Sequence, residues 1–257
     1  SGLVIGIMSW AVWSHHMFTT GLGPVANSVF TITTMLIAVP TGVKIFNWIG
    51  TLWGGSIEFK TPMLFALGFV SLFIIGGLSG VSHAVSPSDF QQQDTYYVVA
   101  HIHYVLFGGS LFGIFAGIYY WYPKVTGKML SEYWGKMTFW LMFIGFNVAF
   151  FPQHFTGLDG MPRRIYTFDA DMGWNTWSAV STVGSGVIAL GALAFVANVG
   201  RVLGLCFLNI KMGKAALDGP LHEGMGLMVY AIALLLLLGI QSLPAAAAEP
   251  PAVEPGP

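Results

Sequence analysis

The stretch VVAHIHYVL, from Val98 to Leu106, places His101 and His103 two residues apart in an almost wholly apolar run. An α-helix turns about 100° per residue, so these two imidazoles point roughly 200° apart and cannot share one metal ion. Ligands for one ion on one helix face would stand three or four residues apart. The spacing predicts two separate ligand roles, one on each side of a single helix. A second pair, His15 and His16, ends the first apolar segment. Adjacent helical residues diverge by about 100°, so this pair can close on one ion only where the helix end loosens. Imidazole suits copper and iron. The alternative for any one intramembrane histidine is a hydrogen bond to a nearby carbonyl or hydroxyl, but four at one depth favour metal.

Lys44 lies in VPTGVKIFNW with Thr41 one turn earlier. A charge inside a membrane segment costs about 3 kcal/mol on insertion scales and points to function. The competing reading is a lysine that snorkels to the cytoplasmic edge. His83, His154 and His222 read as structural, each alone near a membrane edge. The single Cys206 excludes an intrachain disulfide framework and a cysteine-built metal site.

These residues need membrane helices to position them. The chain has 257 residues, 55% hydrophobic and only 8% charged, where a soluble domain carries about a quarter charged. Spanning a bilayer takes about 20 apolar residues, and candidate segments fall near 1–18, 27–50, 61–85, 95–122, 137–157, 174–200 and 224–243. The expected fold is therefore an all-α membrane protein, a bundle of about seven helices. A net charge of −1 gives no argument for a nucleic-acid partner. Lys124, Lys128 and Lys136, and then Arg201, Lys211 and Lys214, mark two loops as cytoplasmic. The opposite loops hold Asp89, Asp94, Asp159, Asp169 and Asp171 with Arg163 and Arg164. That arginine pair runs against the rule and invites an anionic partner. His101 and His103 then lie roughly 10–14 Å beneath the outer surface, counting from Asp94 at 1.5 Å per residue. The opening SGLVIGIMSW reads as a helix entered partway, so a fragment or one half of a split gene is expected. The tail AAAAEPPAVEPGP reads as disordered.

The segments WSHHMFTTG, IAVPTGVKIFNW, DTYYVVAHIHYVLFGG and FFPQHFTGLDGMPRR together resemble the second half of subunit I of the haem–copper terminal oxidases. The resemblance covers roughly residues 1–200, in order, and corresponds to that family's helices seven to twelve; the segment after 201 adds one more. It implies three regions: 1–200 as the C-terminal half of the subunit I bundle, 201–243 as a cytoplasmic segment with an extra helix, and 244–257 as a tail.

By this resemblance, His101 is the axial ligand of a high-spin haem and His103 an axial ligand of a low-spin haem, both of haem A type. The helix between them is about 10 Å wide, which puts the irons roughly 12–15 Å apart. His15 and His16 match two of three histidines on the active-site copper. Lys44 and Thr41 match a proton path from the cytoplasmic side. Arg163 and Arg164 match a pair that binds haem propionates, a charge-assisted contact. Asp94 matches a ligand of magnesium or manganese, although Gln93 stands where the family usually has histidine.

The implied function is the catalytic part of a respiratory oxidase in a bacterial plasma membrane or an equivalent membrane. It reduces oxygen to water with proton pumping, and takes electrons from cytochrome c. The motif DTYYVVAHIHY looks more like cytochrome c oxidases than quinol oxidases, where the last aromatic is commonly asparagine. The alternatives are a quinol oxidase of the same family, or a membrane haem protein that only relays electrons. The implied partners are the N-terminal half of subunit I, subunits II and III, the electron donor and the lipid bilayer. The third copper histidine and the second low-spin haem ligand belong to the N-terminal half.

Overall fold

The computed structural model describes residues 1–212, 224–225, 227–232 and 234–235. His222 and the predicted tail lie outside them. Helices are the regular elements among the described residues. In chain order they are α1 (Gly2–Val12), a tight 3₁₀ turn (Trp13–Met17), α2 (Gly23–Leu52), α3 (Thr61–Ala84) and α4 (Ser86–Gln92). There follow α5 (Tyr96–His103), a π-helical stretch (Tyr104–Leu111), α6 (Phe112–Thr126), α7 (Glu132–Phe150), α8 (Pro152–Leu158), a short turn (Ala170–Met172) and α9 (Asn175–Met212).

Among the described residues, four helices are long and apolar enough to cross a membrane: Gly23–Leu52, Thr61–Ala84, Tyr96–Thr126 and Asn175–Phe207. The other predicted spans differ for local reasons. The first is cut to 11 residues because the helix tightens into the 3₁₀ turn that carries His15 and His16. The fifth is divided at Pro152, which opens α8, and its first part, α7, starts with Glu132 and includes Lys136. Residues 224–243 are described only in part.

The chain divides into two units, 1–192 and 193–257. In the first, α3 packs along α5, the π stretch and α6, and aromatic rings and glycines decide how closely. Phe65 lies against Phe112, Phe115, Tyr119 and Phe139, with ring centroids 5.2–5.8 Å apart. Each such pair adds about 0.5–1.5 kcal/mol beyond area burial. A Cβ at Gly108 would meet Leu72 Cβ at 2.7 Å, and one at Gly76 would meet Tyr104 Cβ at 3.0 Å. Small residues are what let helix backbones approach in lipid. At one end, Glu132 Oε2 accepts hydrogen bonds from Thr61 N and Thr61 Oγ1, both at 2.9 Å. The start of α7 thereby caps the N-terminus of α3, where a carboxylate meets orphan N–H groups.

In the second unit, a Cβ at Gly200 would meet Val229 Cγ1 at 3.0 Å. The sequence reading ends the sixth span at 200 and makes Arg201 a cytoplasmic loop charge. Instead α9 continues to Met212 and Arg201 is buried, 2% exposed. The apolar run VLGLCFL after Arg201 carries the helix on, so this arginine leaves the count of loop charges.

Candidate functional site

A cavity of about 270 Å³ opens among the 3₁₀ turn, α2, the end of α3, α4, α5 and the loop after α8. His15, His16, His83, Asp89, His101 and Arg163 line it, with Thr34, Gly80, Gln93 and Asp94 among its other walls.

His101 stands on α5 and faces α3. Its Nδ1 lies 2.9 Å from Gly76 O and 3.0 Å from Ser79 Oγ. A carbonyl only accepts, so the ring proton sits on Nδ1, which donates to Gly76 O and leaves the Nε2 lone pair free. Metal-bound histidines are held in this way, with the non-ligating nitrogen donating to a carbonyl or carboxylate. Room for the ring comes from Gly80, where a Cβ would stand 2.9 Å from His101 Cε1.

His103 faces elsewhere. Its Nδ1 donates to Val99 O at 2.7 Å, and its ring stacks on Phe150 at 4.1 Å and 15°. Its Nε2 is therefore also a free lone pair, and His103 does not line the cavity. The π stretch begins at the next residue, Tyr104, whose hydroxyl donates to Asn147 Oδ1 at 2.8 Å. Such insertions occur often at functional sites. Here the stretch directly follows the two histidines.

His15 and His16 converge: their Nε2 atoms are 3.0 Å apart. Thr34 Oγ1 gives its proton to Phe30 O at 2.6 Å, so it accepts from His15 Nδ1–H at 3.2 Å. That puts the lone pair of His15 on Nε2, facing His16. Two nitrogens 3.0 Å apart suit neighbouring ligands of one ion with bonds of about 2 Å. The donor set therefore fits a copper ion in part. Among the described residues no group of three or more His, Cys, Asp or Glu could hold a metal ion.

Two loops close the cavity. Asp94 and Arg164 both have left-handed backbones, φ 58° and 66°, a conformation uncommon away from glycine and found often at functional sites. Arg163 forms an ion pair with Asp94, and Arg163 N donates to Asp94 O at 2.8 Å. Tyr96 N donates to Met161 O at 3.0 Å, and Thr95 pairs with Pro162. Thr19 Oγ1 donates to Gln93 Oε1 at 2.7 Å, which ties the loop after His15 and His16 to the same corner. Arg164 is exposed and does not line the cavity.

Lys44 and Thr41 lie outside the cavity, on α2. Thr41 Oγ1 donates to Ile37 O at 2.9 Å, and Lys44 Nζ sits 5.8 Å from the Trp48 ring. Thr34, which touches His15, is ten residues earlier on the same helix, about 15 Å away.

The sequence reading took His83 and His154 as structural, each alone, whereas both rings have close ring neighbours. His83 lines the cavity, its Nδ1 lies 3.5 Å from Asp89 Oδ1, and its ring is 5.1 Å from that of His101. His154 lies against Tyr97, Tyr104 and Phe151 at 5.1–5.8 Å. The signal for His83 was its register: Gly76, Ser79, Gly80 and His83 recur at helical spacing on one face of α3.

The profile of the family described as Cytochrome C and Quinol oxidase polypeptide I matches residues 1–187. A second profile, Transmembrane exosortase, matches residues 183–239. The chain is 52% identical over 197 residues to cytochrome c oxidase subunit 1 of Bacillus sp. (strain PS3), covering 77% of this chain and 32% of that protein. It is 50% identical over 197 residues to quinol oxidase subunit 1 of Bacillus subtilis (strain 168), covering 77% and 30%. The chain thus spans about a third of the length of the curated relatives it matches. A solved haem–copper terminal oxidase dimer superposes on it with a TM-score of 0.65 at 18% identity, over 92% of this chain and 48% of that one.

Proposed function

This chain belongs to the cytochrome c and quinol oxidase polypeptide I family, whose members are integral membrane proteins of respiratory electron transport that use haem and copper. On that premise we propose that it forms part of the catalytic subunit of an oxidase that reduces oxygen to water, pumps protons and draws electrons from cytochrome c. The observation that carries the reading is the division of α5. His101 presents a free Nε2 on the side of His15 and His16, while His103, outside that cavity, stacks on Phe150 and keeps its own Nε2 free.

When bound, the haems and copper would relay the donor's electrons and provide the metals at which oxygen is reduced. The chain's own residues hold and feed them. His101 ligates the iron of the high-spin haem through Nε2 while Gly76 O fixes its ring. His103 ligates that of the low-spin haem, with Val99 O in the same supporting role. His15 and His16 are two copper ligands, and the hydroxyl of Thr34 fixes the tautomer of the first. Arg163 carries five N–H donors, so pairing with Asp94 leaves others for haem carboxylates, and Arg164 joins it. Asp94 also supplies an oxygen for magnesium or manganese. Lys44 and Thr41 bring protons along α2 toward Thr34. The partners are the N-terminal half of subunit I, which supplies the remaining ligands, and subunits II and III.

Donor choice is tested by oxygen uptake of the purified complex with reduced cytochrome c or with a quinol. Turnover with cytochrome c alone supports the reading. Turnover with quinol alone favours the second reading, which the 50% identity to quinol oxidase subunit 1 of Bacillus subtilis supports.

A further inference from the structure

His83 has no role in the functional reading so far. It stands on the stripe of α3 that faces His101. Gly76 supplies the carbonyl that takes the Nδ1 proton, Ser79 a hydroxyl 3.0 Å from the same nitrogen, and Gly80 the space for Cε1. Residues 76, 79, 80 and 83 follow the i, i+3, i+4, i+7 spacing of one helical face. The fourth contact is the His83 ring itself, edge-on to His101 at 5.1 Å and 64°.

His83 is held in turn. Its ring sits edge-on to Tyr97 at 5.0 Å and 79°, and Tyr97 is one turn before His101 on α5. The hydroxyl of Tyr97 lies 2.9 Å from Ser82 Oγ, which locks that neighbour to α3. On its other side, His83 Nδ1 lies 3.5 Å from the carboxylate of Asp89, a residue 7% exposed. The imidazole is thus wedged between two rings of α5 and tethered to α4.

We propose that His83 is a positioning residue for His101: the edge of its ring sets the plane in which the His101 imidazole meets the iron. Carbonyl and hydroxyl fix where Nδ1 sits, but a hydrogen bond at one nitrogen leaves the ring free to swing about it. Gly80, having no Cβ, leaves room for the ring on that side and does not resist the swing. His83 is the wall. This rests on reading His101 as the high-spin haem ligand.

The test uses the complete oxidase complex carrying His83→Leu or His83→Gln, both of which remove the ring edge. The readout is the iron–histidine stretching band of the reduced high-spin haem by resonance Raman, at measured haem content. The band is expected to shift and broaden in both variants, with the low-spin haem bands unchanged. An unmoved band at full haem occupancy overturns the proposal, as does an equal change at both haems. If His83→Leu does not assemble, His83→Gln decides by the same criteria. A wild-type complex with no carbon monoxide-binding haem would instead refute the reading of His101.

Discussion

Gly80→Ala puts a single methyl group against the proposed haem ligand. The added Cβ would stand 2.9 Å from His101 Cε1, 3.6 Å from Nδ1 and 3.7 Å from Nε2, where ordinary contacts begin at 3.4 Å. The ring must therefore retreat by at least 0.5 Å on that edge. It is pinned at Nδ1 by Gly76 O at 2.9 Å and flanked by His83, so retreat strains the hydrogen bond that anchors Nδ1. Overpacking of this kind costs about 1–3 kcal/mol, which converts to a roughly 5- to 150-fold loss of properly seated high-spin haem. The control is Gly77→Ala, where a Cβ meets nothing within 4 Å; it is expected to gain about 1 kcal/mol of helix propensity. The assay is the carbon monoxide difference spectrum per complex, with the low-spin haem as internal standard. Gly80→Ala should lose the carbon monoxide signal selectively while Gly77→Ala keeps it. An unaltered signal in Gly80→Ala, or equal loss in both variants, refutes the geometry.

Three further outcomes follow from the same structure. His103→Ala should remove the low-spin haem spectrum first and His101→Ala should abolish carbon monoxide binding; identical spectra from the two assembled variants would contradict a two-faced helix. Lys44→Met should keep both haems, measured by pyridine haemochrome, yet stall reduction of the oxygen-binding haem during turnover. It should not impair insertion, since it removes an intramembrane charge worth about 3 kcal/mol. Glu132→Ala leaves Thr61 N and Oγ1 without their acceptor and should cost about 1 kcal/mol, read as a lower midpoint of thermal unfolding with cofactor spectra unchanged.

Much of the fold and of the site is legible in the residues because intramembrane polarity is sparse. In a chain with so few charges, His15, His16, His101 and Arg163, which line the cavity, stand out in the sequence, and the two-residue step of HIH encodes divergence directly. What escaped was anything set by contact between segments. Nothing in SHAV identifies His83 as a neighbour of His101, because that meeting depends on glycines at 76, 80 and 108 that let α3 close on α5 and the π stretch. The ion pair of Arg163 with Asp94 joins residues far apart in sequence through two left-handed turns at non-glycine residues. Arg201 misled because a lone cation after an apolar run looks like a loop boundary, while the burial that keeps it inside α9 is a tertiary fact.

The convergence of His15 and His16, whose Nε2 atoms lie 3.0 Å apart, is what the copper proposal rests on most directly. The direct measurement is copper and haem content per complex, by elemental analysis and haemochrome, for the wild type and for the double variant His15→Asn, His16→Asn. The account predicts two haems in both and one copper fewer in the variant, with the loss confined to the ion near His101. Equal copper in the two preparations at full haem occupancy would contradict it.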